Sequence, residues 1–277
     1  MTKEKLIELY DEKGTLSEVA RSVGMSLPTL KQVWYKEVKV KPWILEEPSC
    51  PLDRKQRIEK LDIKFHHDNI YRIGIVSDTH LGSIYQQLDS LQSFYELCKT
   101  KGVNTIFHAG DLVDGIKKYE NQQQQSFIYN SEKILEYVQN MYPKIEGITT
   151  RYIIGNHTIS ESSYENYGEL LNKLRPDMIC HGIRSATFEF RDEAKLHMQH
   201  GNGKKRVYPS ELVLLGHWHR YTEIDAGDSH IIQCPCFHNA TVKPDYLPSD
   251  IGGLIIDFNT NSIKTKFIRY DKILYNY

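Results

Sequence analysis

Seven residues of this sequence have the chemistry to hold metal ions: Asp78, His80, Asp111, Asn156, His200, His217 and His219. They fall in five short runs, Asp78-Thr79-His80, Gly110-Asp111, Gly155-Asn156-His157, His200-Gly201 and Gly216-His217-Trp218-His219. Carboxylate, amide and imidazole groups with no thiolate suit a hard or borderline divalent ion such as manganese, iron or zinc. Seven ligands are too many for one tetrahedral ion and suit two octahedral ions that share a carboxylate. Asp78 and His80 are two apart, as are His217 and His219, so each pair points the same way from extended backbone. Gly110, Gly155, Gly201 and Gly216 allow sharp turns and a close approach of the chain to an ion. A lone histidine at a strand end is more often a satisfied core or surface residue. Five successive runs of matching chemistry outweigh that reading.

Each run follows a candidate strand. Residues 72–77, 104–108, 151–154, 195–199 and 211–215 read as buried strands, and residues 88–99, 131–141 and 164–174 carry helical periodicity. Alternation of the two predicts an α/β domain, in which ligands bind at the carboxyl ends of the strands. The five runs stand at those ends. Later strands at 185–190, 230–233, 253–258 and 263–269 lack intervening helices and predict a second, more antiparallel sheet packed on the first. Residues 122–125, a glutamine run, read as a solvated loop or helix start. Upstream, residues 2–36 read as three short helices. Leu6, Ile7 and Tyr10 form one stripe ended by Gly14, residues 17–23 form the second helix, and Ser26 caps a third carrying Leu30 and Val33. The expected organisation is a helical domain over 1–45, a proline- and charge-rich linker over 46–70, and the α/β domain over 71–277.

The 277 residues are 40% hydrophobic and 26% charged, the composition of a soluble globular protein with one large and one small domain. The formal net charge of -1 excludes a global basic field, leaving local patches as the electrostatic signal. The N-terminus has no apolar signal core, and no run reaches the roughly 18 apolar residues of a membrane span. A cytoplasmic protein without membrane contact is expected. The five cysteines, Cys50, Cys98, Cys180, Cys234 and Cys236, are an odd set that suits a reducing compartment, and Cys234-Pro235-Cys236 lacks zinc-site spacing.

The ordered set DTH, GDLVDG, GNH, HGN and GHWH, over about residues 72–220, resembles the five-motif signature of calcineurin-like metallophosphoesterases. The tail with IIQCPCFHNATV and GGLIIDF is similar to the closing strands of phage and archaeal members, which can also carry a small N-terminal helical domain. The resemblance implies a four-layer αββα sandwich with two divalent metal ions, Mn²⁺ foremost and Fe, Zn or Ni as alternatives. By the same resemblance, Asp78, His80 and His219 hold the first metal, Asn156, His200 and His217 the second, and Asp111 bridges them. His157 corresponds to the family's catalytic histidine, and a metal-bridging hydroxide attacks phosphorus in line. Thr158 stands where members often carry an acidic residue, leaving Asp114 or Glu161 to orient His157. Asp114 also stands where the family's double-strand-break repair nucleases carry a histidine, so that specialised reading is not carried over. His108 is expected as a buried strand histidine rather than a brace for the ligands.

Residues 15–36, TLSEVARSVGMSLPTLKQVWYK, resemble a helix-turn-helix, with Ala20 at the crossing and Gly24 in the turn. Ser26, Thr29, Lys31 and Gln32 lie on the expected outer face, and Lys36, Lys39 and Lys41 follow, a set able to meet a phosphate backbone. A three-helix module for self-association or docking is the competing reading. Two functions follow. One is a nucleic-acid phosphodiesterase of nuclease type, DNA favoured over RNA. The other is a phosphoesterase for small-molecule, cyclic-nucleotide or protein phosphates whose helical module serves oligomerisation or docking. A non-catalytic reading would need a broken metal set, and this one is complete.

Overall fold

A computed structural model describes residues 2–13, 16–37, 58–115, 125–128, 130–157, 167–201, 210–227, 229–239 and 248–270. Cys50, Thr158, Glu161, Lys39, Lys41, the linker before residue 58, most of the glutamine run and the side chains of Ile7, Tyr10, Lys31, Gln32 and Lys36 lie outside them. The chain divides into two compact units, Met1–Arg54 and Lys55–Tyr277. No helix among the described residues is long and apolar enough to cross a membrane.

The first unit holds α1 (Lys3–Lys13), α2 (Leu16–Ser22) and α3 (Leu27–Glu37). Leu6, Val19, Ala20, Leu30 and Trp34 form its buried centre. Val33, expected in the stripe, is only partly buried, and Trp34 takes the inner place one turn after Leu30. The Thr29 N–H donates to Ser26 Oγ at 3.3 Å, so Ser26 caps α3 as its position predicts.

The second unit is built on two six-stranded sheets. Its strands are β1 (Ile58–Lys60), β2 (Tyr71–Val76), β3 (Thr105–His108), β4 (Thr149–Ile153), β5 (Met178–Gly182), β6 (Ser185–Glu189), β7 (Lys195–His200), β8 (Leu212–Gly216), β9 (Thr222–Asp225), β10 (His230–Gln233), β11 (Gly252–Asn259) and β12 (Ser262–Arg269). The first sheet runs β12-β11-β2-β3-β4-β5 and the second β1-β6-β7-β8-β10-β9. Alternation places one face of each strand inward. Ile73 and Ile75 of β2, Leu254, Ile256 and Phe258 of β11, Leu196 and Met198 of β7, and Leu212 and Leu214 of β8 belong to a single buried cluster. Three helices, α4 (Leu88–Thr100), α5 (Ser131–Met141) and α6 (Tyr167–Leu174), complete the described unit. α4 packs on β11, where a Cβ at Gly253 would strike the Phe94 ring; α6 packs on β5, and α5 on α6.

Sheet membership corrects the sequence reading. β7 and β8, grouped with the α/β strands, belong to the second sheet, while β11 and β12 extend the first through β2. The second sheet is mixed rather than mainly antiparallel, because β8 pairs in parallel with both β7 and β10. β1, β5 and the fully exposed β9 were not expected; β1 falls in the stretch read as linker, and the Thr-Glu-Ile-Asp sequence of β9 carries no buried face to signal a strand. Three layers are described, helices on one sheet and that sheet on the other. A helical layer on the far face of the second sheet is not among the described residues.

Candidate metal centre

All five motif runs meet at the carboxyl ends of parallel strands, β2, β3 and β4 in one sheet and β7 and β8 in the other. Past the strand ends the loops keep pairing. Asp78 N–H donates to Gly110 O at 2.9 Å, His80 N–H to Asp111 O at 3.1 Å and Asp111 N–H to Ile154 O at 3.0 Å. The sheets close together here because Gly216 has no side chain: a Cβ there would collide with the Ala109 carbonyl oxygen and lie 2.7 Å from both Ser77 Oγ and His200 Nδ1.

Five of the seven candidate ligands have left-handed backbones, with φ of 50° at Asp78, 43° at His80, 53° at Asp111, 89° at His217 and 56° at His219. Such conformations cost on the order of 1 kcal/mol or more each outside glycine, and they gather where function requires a side chain to be aimed. The surrounding ladder of backbone hydrogen bonds holds them.

Each carboxylate is split between scaffold and centre. Asp78 Oδ2 accepts from Ser77 Oγ at 2.5 Å and from His217 N–H at 2.9 Å, while Oδ1 lies 3.1 Å from His219 Nε2 and 3.7 Å from His80 Nε2. Asp111 Oδ1 accepts the N–H groups of Asn156 and His157 at 2.7 and 2.8 Å. Its Oδ2 faces inward, 2.9 Å from His200 Nε2, 3.8 Å from His157 Nε2 and 4.0 Å from His80 Nε2. His200 Nδ1–H donates to the Ala109 carbonyl at 2.7 Å, which leaves Nε2 as the nitrogen that faces Asp111 Oδ2.

Asp111 Oδ2, His200 Nε2 and both side-chain polar atoms of Asn156 are buried without a hydrogen-bond partner. Lone pairs crowded at such distances need a shared cation, and buried polar groups left unpaired would cost about 1–3 kcal/mol each. The donor set therefore fits divalent metal ions. Asp78, His80 and Asp111 form one group of mutually close donor atoms, and Asp111, His200 and His217 form another. Asp111 belongs to both, the position expected of a bridging carboxylate.

Around the centre, Asp114 connects two histidines. Its carboxylate receives His80 Nδ1 at 3.0 Å and the Ser126 hydroxyl at 2.9 Å, and its main-chain oxygen accepts from His157 Nδ1 at 2.7 Å. Of the two acidic residues considered for orienting His157, Asp114 is thus in contact with it, while Glu161 lies outside the described residues. Burial opposes ionisation of Asp114, but hydrogen bonds from His157 and His80 hold its carboxyl below the usual range. His108 is fully buried, as expected for a strand histidine, yet it also braces the ligand loops. Its Nδ1 accepts the Gly110 N–H at 3.2 Å, and its Nε2–H donates to the Thr79 hydroxyl at 3.0 Å. His238 is a residue that the motif pattern does not contain: buried, it stacks on His80 with centroids 4.3 Å apart. Ser26 and Thr29 lie in the other unit, both exposed, with their hydroxyls 2.8 Å apart. Cys98, Cys180, Cys234 and Cys236 are buried free thiols.

A pH dependence of metal uptake follows. Burial opposes a charge on His80, but the Asp114 and Asp78 carboxylates outweigh it and raise its pKa to about 9 in the metal-free protein. At neutral pH an incoming ion displaces that proton. Apparent affinity is therefore expected to fall as pH falls, about tenfold per unit for each proton displaced. Calorimetric titration with Mn²⁺ near neutral pH in two buffers of different ionisation enthalpy measures it, and a buffer-independent heat would contradict it.

The family model for calcineurin-like phosphoesterases matches residues 71–224, so the chain belongs to that family. Its members are metal-dependent phosphoester hydrolases. No curated protein sequence matches the chain. Similar solved structures include a predicted phosphoesterase of Streptococcus pneumoniae TIGR4, 17% identical with a TM-score of 0.41, covering 73% of this chain and 91% of that one. Another is Vps29 of Entamoeba histolytica complexed with zinc, 12% identical with a TM-score of 0.40, covering 72% and 99%. A third is GAP50, described as the anchor in the inner membrane complex of Plasmodium, 13% identical with a TM-score of 0.44, covering 73% and 85%. At these values no activity or partner carries over from the neighbours.

Proposed function

We propose that the protein is a two-metal phosphodiesterase acting on nucleic acid, DNA in preference to RNA, in a nuclease-type reaction. The observation that supports it most is the convergence of unpartnered donors from Asp111, Asn156 and His200 with His80, His217, His219 and Asp78 at the strand ends. Asp78, His80 and His219 would hold one ion, Asn156, His200 and His217 the other, and Asp111 would span both. Bound there, two divalent ions, Mn²⁺ as the first candidate, would offset the charge of a phosphodiester and lower the pKa of coordinated water. The chain's own part is positional. Serine and amide hydrogen bonds fix one oxygen of each aspartate so that the other faces the imidazoles of the centre, where an ion would be held. His157, its Nδ1–H committed to the Asp114 carbonyl, turns Nε2 toward the centre. Protonated there, it would neutralise charge building on the leaving oxygen and donate a proton to it.

Trp218 favours nucleic acid over a small phosphate. It stands between His217 and His219, is 49% exposed, and its ring lies 5.6 Å from that of His217. An open aromatic face beside a phosphate centre is a stacking platform for a base. In this reading the first unit is a helix-turn-helix that meets duplex DNA through Ser26, Thr29, Lys31, Gln32 and Lys36.

The test is one substrate panel with Mn²⁺, run on the full chain and on a chain lacking residues 1–45: single- and double-stranded DNA, RNA, a cyclic nucleotide, a phosphopeptide and a chromogenic diester. Oligonucleotide cleavage by the full chain is expected, with unchanged hydrolysis of the chromogenic diester and weaker, less salt-sensitive duplex binding after truncation. Exclusive cleavage of the cyclic nucleotide or the phosphopeptide would replace the nuclease reading. Equal duplex affinity of both forms, with loss of an oligomer on truncation, would make the first unit an assembly module.

A further inference from the structure

The five motifs supply four candidate imidazole ligands, His80, His200, His217 and His219, yet another imidazole stands beside them. His238 follows β10 in the segment Cys236-Phe237-His238, only 5% exposed, and pairs with Gln86 across an isolated bridge. Its ring lies 4.3 Å from that of His80 and 5.6 Å from that of His219, which are themselves 5.1 Å apart. One ring nitrogen from each of the three lies within 4.8 Å of the other two.

The two nitrogens of His238 differ. Nε2 is 2.9 Å from the Ser83 hydroxyl, which also receives the Tyr85 N–H at 3.2 Å. Nδ1 is buried with no hydrogen-bond partner. A proton on Nδ1 would be an orphaned buried donor, the rarer and costlier arrangement. With the proton on Nε2, donated to Ser83, Nδ1 is a bare lone pair held by a hydrogen bond at the far side of the ring. That is the usual preparation of a metal-binding histidine.

We propose that His238 is a further ligand, through Nδ1, to the ion held by Asp78, His80 and His219. The assignment rests on the two-metal reading. It makes the two positions unequal: three imidazoles and a carboxylate at one, two imidazoles and an amide at the other, with Asp111 between. The nitrogen-rich position favours Co²⁺, Ni²⁺ or Zn²⁺ over Mn²⁺ and should be the tighter of the two. A mixed pair of ions, rather than two of the same kind, is then the expected resident state.

His238→Phe keeps a flat ring on His80 and removes both nitrogens. Titration of apo-protein with Co²⁺, followed by visible absorption and by equilibrium dialysis, is expected to give two unequal affinities in the unaltered chain. In the variant the tighter affinity should fall at least about tenfold with a changed absorption band, while the weaker stays within about twofold. Near-ultraviolet circular dichroism establishes that the variant is folded. A folded variant with unchanged tighter affinity and spectrum would overturn the ligand role and leave the two-metal reading standing. An unaltered chain that binds no Co²⁺ would overturn both. A measurement on the unaltered chain avoids any folding defect: with NMR-active cadmium and ¹⁵N-labelled histidine, five rings coupled to metal support the proposal, and four, without His238, overturn it.

Discussion

Asp111→Asn is expected to abolish hydrolysis and two-metal occupancy while leaving the fold intact. The substitution is nearly isosteric, and an amide oxygen in the Oδ1 position still accepts the N–H groups of Asn156 and His157. The other atom becomes an NH₂ group in the Oδ2 position, 2.9 Å from His200 Nε2. A positive edge then faces the cations, and no oxygen remains to be shared between them. Turnover of a chromogenic diester should drop by roughly 10³-fold or more, the scale on which one preorganised electrostatic group acts. Elemental analysis should find fewer than two ions per chain, with near-ultraviolet circular dichroism preserved. Full metal content in a folded Asp111→Asn protein would remove Asp111 from the bridging position.

His157→Ala should have the opposite signature, metal content retained and turnover lost. The loss expected of a positioned proton donor is about 10²–10⁴-fold. The identity of the leaving group separates its two possible roles. If His157 protonates the departing oxygen, the loss should be largest for an alkoxide such as a deoxyribose oxygen. It should shrink for p-nitrophenolate, which departs without a proton. Equal losses on both substrates would assign His157 to charge neutralisation alone, and loss of metal would make it a ligand.

The site was readable because its chemistry is local. Asp78-Thr79-His80 and His217-Trp218-His219 each declare themselves within three residues, and each follows a strand whose alternation is also local. What stayed hidden depends on pairing across long stretches of chain. Nothing near Lys195–His200 or Gly252–Asn259 states which sheet accepts it, because that is settled by which inner face fills the space against Ile73, Ile75 and Phe107. His238 follows a Cys-Pro-Cys segment outside the five motifs, and only the fold brings it to His80. Asp114 was considered for one task and does two. Trp34 was missed beside Val33 because a short stripe tolerates a shift of one residue before the burial pattern changes. The expectations placed on Thr158, Glu161 and the α3 lysine side chains fall outside the described residues.

Asp111 is anchored by amides beyond β4, lies in the loop after β3 and faces an imidazole at the end of β7. No single strand, and neither sheet alone, contains this arrangement, so an unfolded or half-assembled chain offers an ion only scattered, weak contacts. Metal occupancy is therefore a thermodynamic reporter of sandwich closure. An ion at a free concentration of about 100 times its dissociation constant adds about 2.7 kcal/mol to the folded state. The melting temperature should climb with added ion and with no change of covalent structure. A chain short of metal would be not merely inactive but more easily opened, which ties its lifetime to the ion supply around it.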